Sequence, residues 1–152
     1  FWILAVSIFC VAFAYGGSLV HMPQMLKAQG FVDTQAAVVV SLFGVSIFAG
    51  RIITGLLLDR FWAPLVTLPI LCLPAVSCLL LAGDSLGFAT AVFAALLLGF
   101  SSGAETDLIA YLAGRYFGMA NYGRIYGSLY MVFGIASALS PLAWSGKYAR
   151  LP

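Results

Sequence analysis

Residues 34–58 decide the fold class, and they read TQAAVVVSLFGVSIFAGRIITGLLL. Arg51 is the single charged residue in this run, and no proline interrupts it. An α-helix needs about 20 predominantly apolar residues to cross the roughly 30 Å hydrocarbon core of a bilayer. The run exceeds that length, so it predicts a transmembrane helix.

Four further runs have the same apolar character, and turn-forming residues separate them. The connections are a polar stretch from His21 to Asp33, residues 59–64, a tight turn at Gly83-Asp84-Ser85, and residues 118–123. We therefore predict an all-α polytopic membrane helix bundle with five transmembrane spans, and treat residues 1–152 as one partial transmembrane domain. The predicted spans are approximately residues 1–22, 34–58, 63–83, 85–116 and 124–144.

The composition excludes several classes of protein. Hydrophobic residues make up 63% of the 152 residues and charged residues only 8%, against about 25% charged in soluble domains. Lipid is therefore the natural solvent for the outside of the molecule. A net charge of +2 without a basic run argues against a nucleic-acid partner.

Chemistry-bearing motifs are sparse. HExxH, P-loop and GxGxxG patterns do not occur, and the three cysteines have no metal-ligand spacing. We expect no catalytic residue, no metal site, no cofactor and no enzyme activity. A non-transporting scaffold and an intramembrane enzyme subunit remain alternatives from other classes. The former would not need charges within its spans, and the latter would need a nucleophile or a metal set there.

Three ionisable residues fall inside the predicted spans, where a charge costs about 2.5–3.5 kcal/mol at the centre. At a rise of 1.5 Å per residue, Arg51 lies ~12 Å from Asp59, and Glu105 and Asp107 lie ~12–15 Å from Arg115. The arginine and the acids could neutralise one another at this matched depth. Two residues apart, the acids differ by about 200° around a helix and cannot both face one cavity.

Two roles stay open for Arg51. It could hold an anionic group of a solute, or it could form a permanent ion pair that locks two helices together. For Glu105 and Asp107 we favour a structural ion pair over a coupling role, because acids near a helix end often pair with loop arginines. His21 is interpreted as a boundary residue.

Small and basic residues add two local predictions. GxxxG pairs at Gly99/Gly103 and Gly123/Gly127 would let helix backbones approach closely in lipid. The basic residues after spans two and four would lie in the cytoplasm by the positive-inside rule. They are Arg60, Arg115 and Arg124.

The segment GRIITGLLLDR, residues 50–60, resembles the G-x-x-x-D-R signature of the major facilitator superfamily through Gly55, Asp59 and Arg60. That family has the signature at the cytoplasmic turn after the second helix of a six-helix half. Residues 61–64, FWAP, replace the basic cluster that completes the signature, a departure more usual in second halves. The chain also begins at Phe1 rather than Met, so we expect a C-terminal fragment carrying helices seven to eleven of twelve. The first half remains an alternative.

A second part of the sequence resembles one particular branch of this superfamily. Residues 103–111, 115–118 and 123–127 resemble the tenth and eleventh helices of bacterial members, most closely the monocarboxylate and oxalate–formate carrier branch. An arginine on the eighth helix of that branch engages substrate carboxylate, and Arg51 matches its position. Monocarboxylate members carry an acid one turn earlier, where this chain has Ile47.

The resemblance implies a secondary active transporter that moves a small solute, an organic anion such as a monocarboxylate, by alternating access. Arg51 would bind the solute, and the cytoplasmic gate would comprise Gly55, Asp59, Arg60 and Arg115. Glu105 or Asp107 would couple transport or complete the gate. The alternative within the family is a carrier of a neutral sugar or drug in which Arg51 is structural.

The implied partners and location follow from the same resemblance. They are a small-molecule solute with a coupled proton or counter-anion, the lipid bilayer, and the N-terminal half of the same protein. The expected location is the cell membrane, the inner membrane of a bacterium, as a multi-pass protein.

Overall fold

The computed structural model describes residues 1–81 and 87–148, and these residues form helices with short connections and no strand. The predicted turn at Gly83-Asp84-Ser85 lies outside the described residues. A 3₁₀ turn, Met119–Asn121, precedes the last helix. The helices are α1 Trp2–Ala28, α2 Asp33–Arg60, α3 Ala63–Leu81, α4 Phe88–Phe117 and α5 Tyr122–Tyr148.

Each of these five helices is long and apolar enough to cross a membrane. Even α3, the shortest at 19 residues, extends ~28 Å at 1.5 Å per residue. The prediction of an all-α membrane bundle with five spans is confirmed.

The first helix is longer than the sequence predicted. Instead of ending at residue 22, α1 continues through Pro23 to Ala28, and only residues 29–32 connect it to α2. His21 is therefore a buried residue of α1 rather than part of a loop. Its Nδ1 lies 3.1 Å from Gln24 Oε1 and its Nε2 lies 3.5 Å from the carbonyl oxygen of Pro141. A helix that outlasts the hydrocarbon region keeps its hydrogen bonds while polar side chains reach water, so polar residues alone did not mark its end.

Glycine and serine bring α2 and α4 into close backbone contact. A Cβ atom on Gly99 would meet the carbonyl of Phe43, and one on Gly103 would meet the carbonyl of Ile47. The Ser46 hydroxyl adds a hydrogen bond of 2.6 Å to the carbonyl of Leu96. From the Phe43–Gly99 contact to the Ile47–Gly103 contact, the residue numbers rise along both helices. The helices α2 and α4 therefore pack in parallel.

Serine hydroxyls also join the other helix pairs. Ser77 of α3 donates to the carbonyl of Ala94 on α4 at 2.7 Å, and Ser101 of α4 donates to the carbonyl of Ile70 on α3 at 3.1 Å. Between α1 and α5, Ser140 donates to the carbonyl of Phe13. Hydrogen bonds between polar side chains and neighbouring helices stabilise helix association in lipid, where the hydrophobic effect does not drive it.

The two GxxxG predictions have different outcomes. Gly99 and Gly103 are buried at the α2–α4 contact, so close packing is confirmed for this pair. A Cβ on Gly123 or Gly127 would have no atom within 4 Å, and both residues are exposed. The prediction is wrong for that pair within the described part of the chain.

We expect Gly103→Ala to lower the free energy of unfolding by about 1–3 kcal/mol, because the added methyl overpacks the contact with Ile47. Gly44→Ala is the matched control on α2, since a Cβ there meets nothing within 4 Å. Unfolding of the complete protein in detergent measures both. Equal stability of the two variants would contradict the close contact.

Candidate functional site

One open face of the bundle carries two charged side chains at the same depth. Ile47 and Gly103 touch across the parallel α2–α4 contact, and Arg51 and Asp107 each follow one helical turn later. Residues four apart lie on the same face of a helix, so the two charges lie at the same depth, each one turn beyond the contact. Arg51 is exposed and Asp107 is half-buried.

A row of aromatic rings on α5 forms the adjoining wall. The ring of Tyr122 lies against α4, 3.7 Å from where a Cβ of Gly114 would be. Tyr122 and Tyr126 stack with ring centroids 5.6 Å apart, Tyr126 and Tyr130 are likewise 5.6 Å apart, and Tyr130 and Phe133 are 5.5 Å apart. We call Tyr122, Tyr126 and Tyr130 the tyrosine row.

The tyrosine row and the two charges belong to one site. Tyr126 interacts electrostatically with both Arg51 and Asp107. We call the face between α2, α4 and α5 the groove, and its polar residues are Arg51, Asp107 and the tyrosine row.

Neither charge in the groove is paired by a described residue. The salt bridge formed within the described ranges joins Lys27 Nζ to Asp33 Oδ1 at 2.8 Å, on the exposed surface at the opposite end of the bundle. Arg51 makes no such contact with Glu105 or Asp107, although the three lie at matched depth.

Glu105 lies on the other side of α4. Its side chain is 1% exposed, and neither carboxyl oxygen has a hydrogen-bond partner among the described residues. It borders a cavity of ≈ 20 Å³ between α1, α3 and α4, together with Leu4, Ile8 and Thr67. The hydroxyl of Thr67 also lacks a described partner. The offset of about 200° between residues 105 and 107 thus places one acid in the bundle interior and the other in the groove.

The predicted gate residues lie at one end of the bundle. Arg60 and Arg115 occupy the last turns of α2 and α4, where a cation stabilises the negative end of the helix dipole. Asp59 is exposed beside Arg60, and Gly55 has open space where a side chain would be. No salt bridge joins these residues in the described ranges. We call this end, which also carries Arg124, the basic end.

One enzyme-like pattern also occurs on α4. Gly99-Phe100-Ser101-Ser102-Gly103 has the G-x-S-x-G spacing of a nucleophile elbow. That motif requires a sharp strand-to-helix turn that exposes the serine. Ser101 instead lies in the middle of α4, 1% exposed, and donates to the carbonyl of Ile70. The pattern here serves helix packing.

The sequence reasoning missed the tyrosine row. Of its members, only Tyr126 falls within the segments that resemble the family, in residues 123–127. The signal was present, because tyrosines four residues apart lie on one face of a helix.

These observations define a multi-pass α-helical membrane protein with a polar groove on one face. The sequence model of the Major Facilitator Superfamily matches residues 1–141, which is most of the chain. The chain belongs to this superfamily, and it is a membrane transporter of the major facilitator type. Comparison with curated proteins and with solved structures gave no match.

We expect Glu105→Met to leave the free energy of unfolding unchanged or to raise it by about 1–3 kcal/mol, because an unpartnered buried polar group costs that much. Ser101→Ala is the control on the same helix, and it should lower stability by about 1 kcal/mol through loss of its hydrogen bond. Detergent unfolding measures both variants. A large loss of stability in Glu105→Met would reveal a partner for the carboxyl outside the described residues.

Proposed function

We propose that the protein is a secondary carrier that moves a small organic anion by alternating access, with Arg51 binding the anionic group. The observation that carries the proposal is that Arg51 is exposed in the groove without a salt bridge to a described residue. A cation placed ~13 Å inside the basic end is costly. A locking ion pair would account for that cost, and the described residues do not form one.

The groove is proposed to face the second half of the carrier. Transporters of this type bind solute near the midplane, between two halves that rock against each other. Arg51 on α2, Asp107 on α4 and Tyr126 on α5 share one face, so a solute between the halves would meet all three helices together. This arrangement supports a binding site shared with the other half.

The finer assignment is to carriers of monocarboxylates or of oxalate and formate. It is supported by the match of Arg51 to the substrate-binding arginine of that branch. Ile47 stands where monocarboxylate carriers have an acid, so exchange against a counter-anion is favoured over proton coupling through that position.

The basic end is proposed to lie in the cytoplasm of a bacterial cell, with the bundle in the inner membrane. Arg60, Arg115 and Arg124 support this orientation by the positive-inside rule. Asp59, Arg60, Arg115 and Gly55 would then form the cytoplasmic gate. Contacts of Asp59 and Arg60 with the other half would close in the outward-facing state and open in the inward-facing state.

We expect Arg51→Gln to reduce uptake of labelled small carboxylates by at least about tenfold, a loss of ~1.4 kcal/mol or more in transition-state stabilisation. Uptake is measured in proteoliposomes that contain the complete protein at matched folded yield. Arg124→Gln is the control, since Arg124 is exposed and lies about 200° around α5 from Tyr122 and Tyr126. Equal uptake by Arg51→Gln and the native protein, or no carboxylate uptake by either, would contradict the anion assignment.

We expect Asp59→Asn to slow carboxylate uptake by about tenfold while insertion and thermal stability stay unchanged, because the lost charge weakens the gate in one state of the transport cycle. Asp33→Asn is the control acid at the opposite end of the bundle, where Asp33 is exposed and forms a salt bridge with Lys27. Uptake kinetics of Asp59→Asn equal to those of Asp33→Asn would remove Asp59 from the gate.

A further inference from the structure

Arg51 and Asp107 give the groove one positive and one negative charge. A site for a simple anion would instead carry a net positive charge. Asp107 and Arg51 lie at the same depth on neighbouring helices, and Tyr126 lies within electrostatic range of both. A solute that carried only a carboxylate would gain from Arg51 and be repelled by Asp107. At low dielectric between two halves of a carrier, such repulsion is of the same order as the attraction.

The tyrosine row supplies a second feature that suits positive charge. Tyr130 is 44% exposed; along α5, Tyr122 stacks on Tyr126 and the ring of Tyr130 is tilted against that of Tyr126. Neighbouring rings cover part of each face in this row; the uncovered parts of the faces attract cations, including quaternary ammonium groups, and the phenol oxygens can accept hydrogen bonds from an ammonium group. The surface next to Asp107 thus combines a carboxylate with aromatic rings.

We propose that the solute is a zwitterion, with a carboxylate bound by Arg51 and an ammonium group bound between Asp107 and the tyrosine row. This inference rests on the proposed function, because it takes Arg51 as the carboxylate site. It adds that Asp107 and the tyrosine row determine specificity by recognising a positive charge. Glu105 has no part in this recognition, since its carboxyl is buried on the opposite side of α4.

Two pairs of nearly isosteric compounds test the effect of the positive charge on binding while the shape of the ligand stays almost constant. Glycine betaine and 3,3-dimethylbutyrate share one outline, as do alanine and isobutyrate, and only the first member of each pair carries a cation. Binding to the complete protein in detergent is measured for all four by calorimetry. We expect the zwitterion of at least one pair to bind about tenfold or more tightly than its partner, through the charge-assisted contact and the aromatic rings.

Substitutions then assign the preference to its residues. Asp107→Asn should abolish the discrimination within the preferred pair while the simple carboxylate binds as well as before or better. Tyr130→Leu should reduce the discrimination partially, because one ring of the row is lost. Asp33→Asn, a charge removal at the opposite end of the bundle, should leave it unchanged.

The outcomes distinguish this inference from the proposed function. If both simple carboxylates bind as tightly as their zwitterions and Arg51→Gln abolishes their binding, the zwitterion inference is overturned and the anion carrier stands. If none of the four binds while other carboxylates are taken up, the zwitterion inference is again overturned and the anion carrier stands. If no carboxylate of any kind is bound or transported, both fail. Discrimination that survives in Asp107→Asn would overturn the role given to Asp107.

Discussion

The close backbone contact between α2 and α4 is the constraint on which the rest of the structure depends. Gly99 and Gly103 let the carbonyls of Phe43 and Ile47 approach to a distance that a Cβ would forbid. Because the helices are parallel, the contact fixes their register as well as their distance. Arg51 and Asp107 follow the contact by one turn each, so the same glycines that join the helices also set the two charges at the same depth.

Lipid as the solvent explains why small polar residues carry so much of the packing. Apolar side chains gain little by leaving hydrocarbon for another helix, so close backbone approach and hydrogen bonds across helices must drive association. Ser46, Ser77 and Ser101 each donate to a carbonyl of a neighbouring helix. Each hydroxyl is satisfied by an acceptor that the helix already offers, so these bonds require no other polar partner in the bundle.

The sequence was sufficient to predict the five helices and the class of the fold, because an unpaired backbone group is too costly in lipid to permit anything but long helices. It could not predict where α1 ends, since a helix continues beyond the hydrocarbon at little cost. Helix geometry correctly separated Glu105 from Asp107, yet only the packing of α1 and α3 decided which acid became buried. The sequence contains the four-residue spacing of the tyrosine row, but it does not show which helix the row lies against. That information comes from the packing of Tyr122 of α5 against Gly114 of α4.

Neither charge in the groove is paired by a residue that the structure describes, and this bears on the proposed mechanism. Arg51 and Asp107 lie at one depth on neighbouring helices, and a direct salt bridge between them would neutralise both at little conformational cost. Such a bridge would also compete with any ligand, since the solute would have to break it before binding. Within the described residues no salt bridge joins the two charges, so a ligand that met them together would not have to break one. In the proposed carrier, a ligand with opposite charges at its two ends would neutralise both residues at once, and closure of the two halves over it would bury no net charge at these two positions.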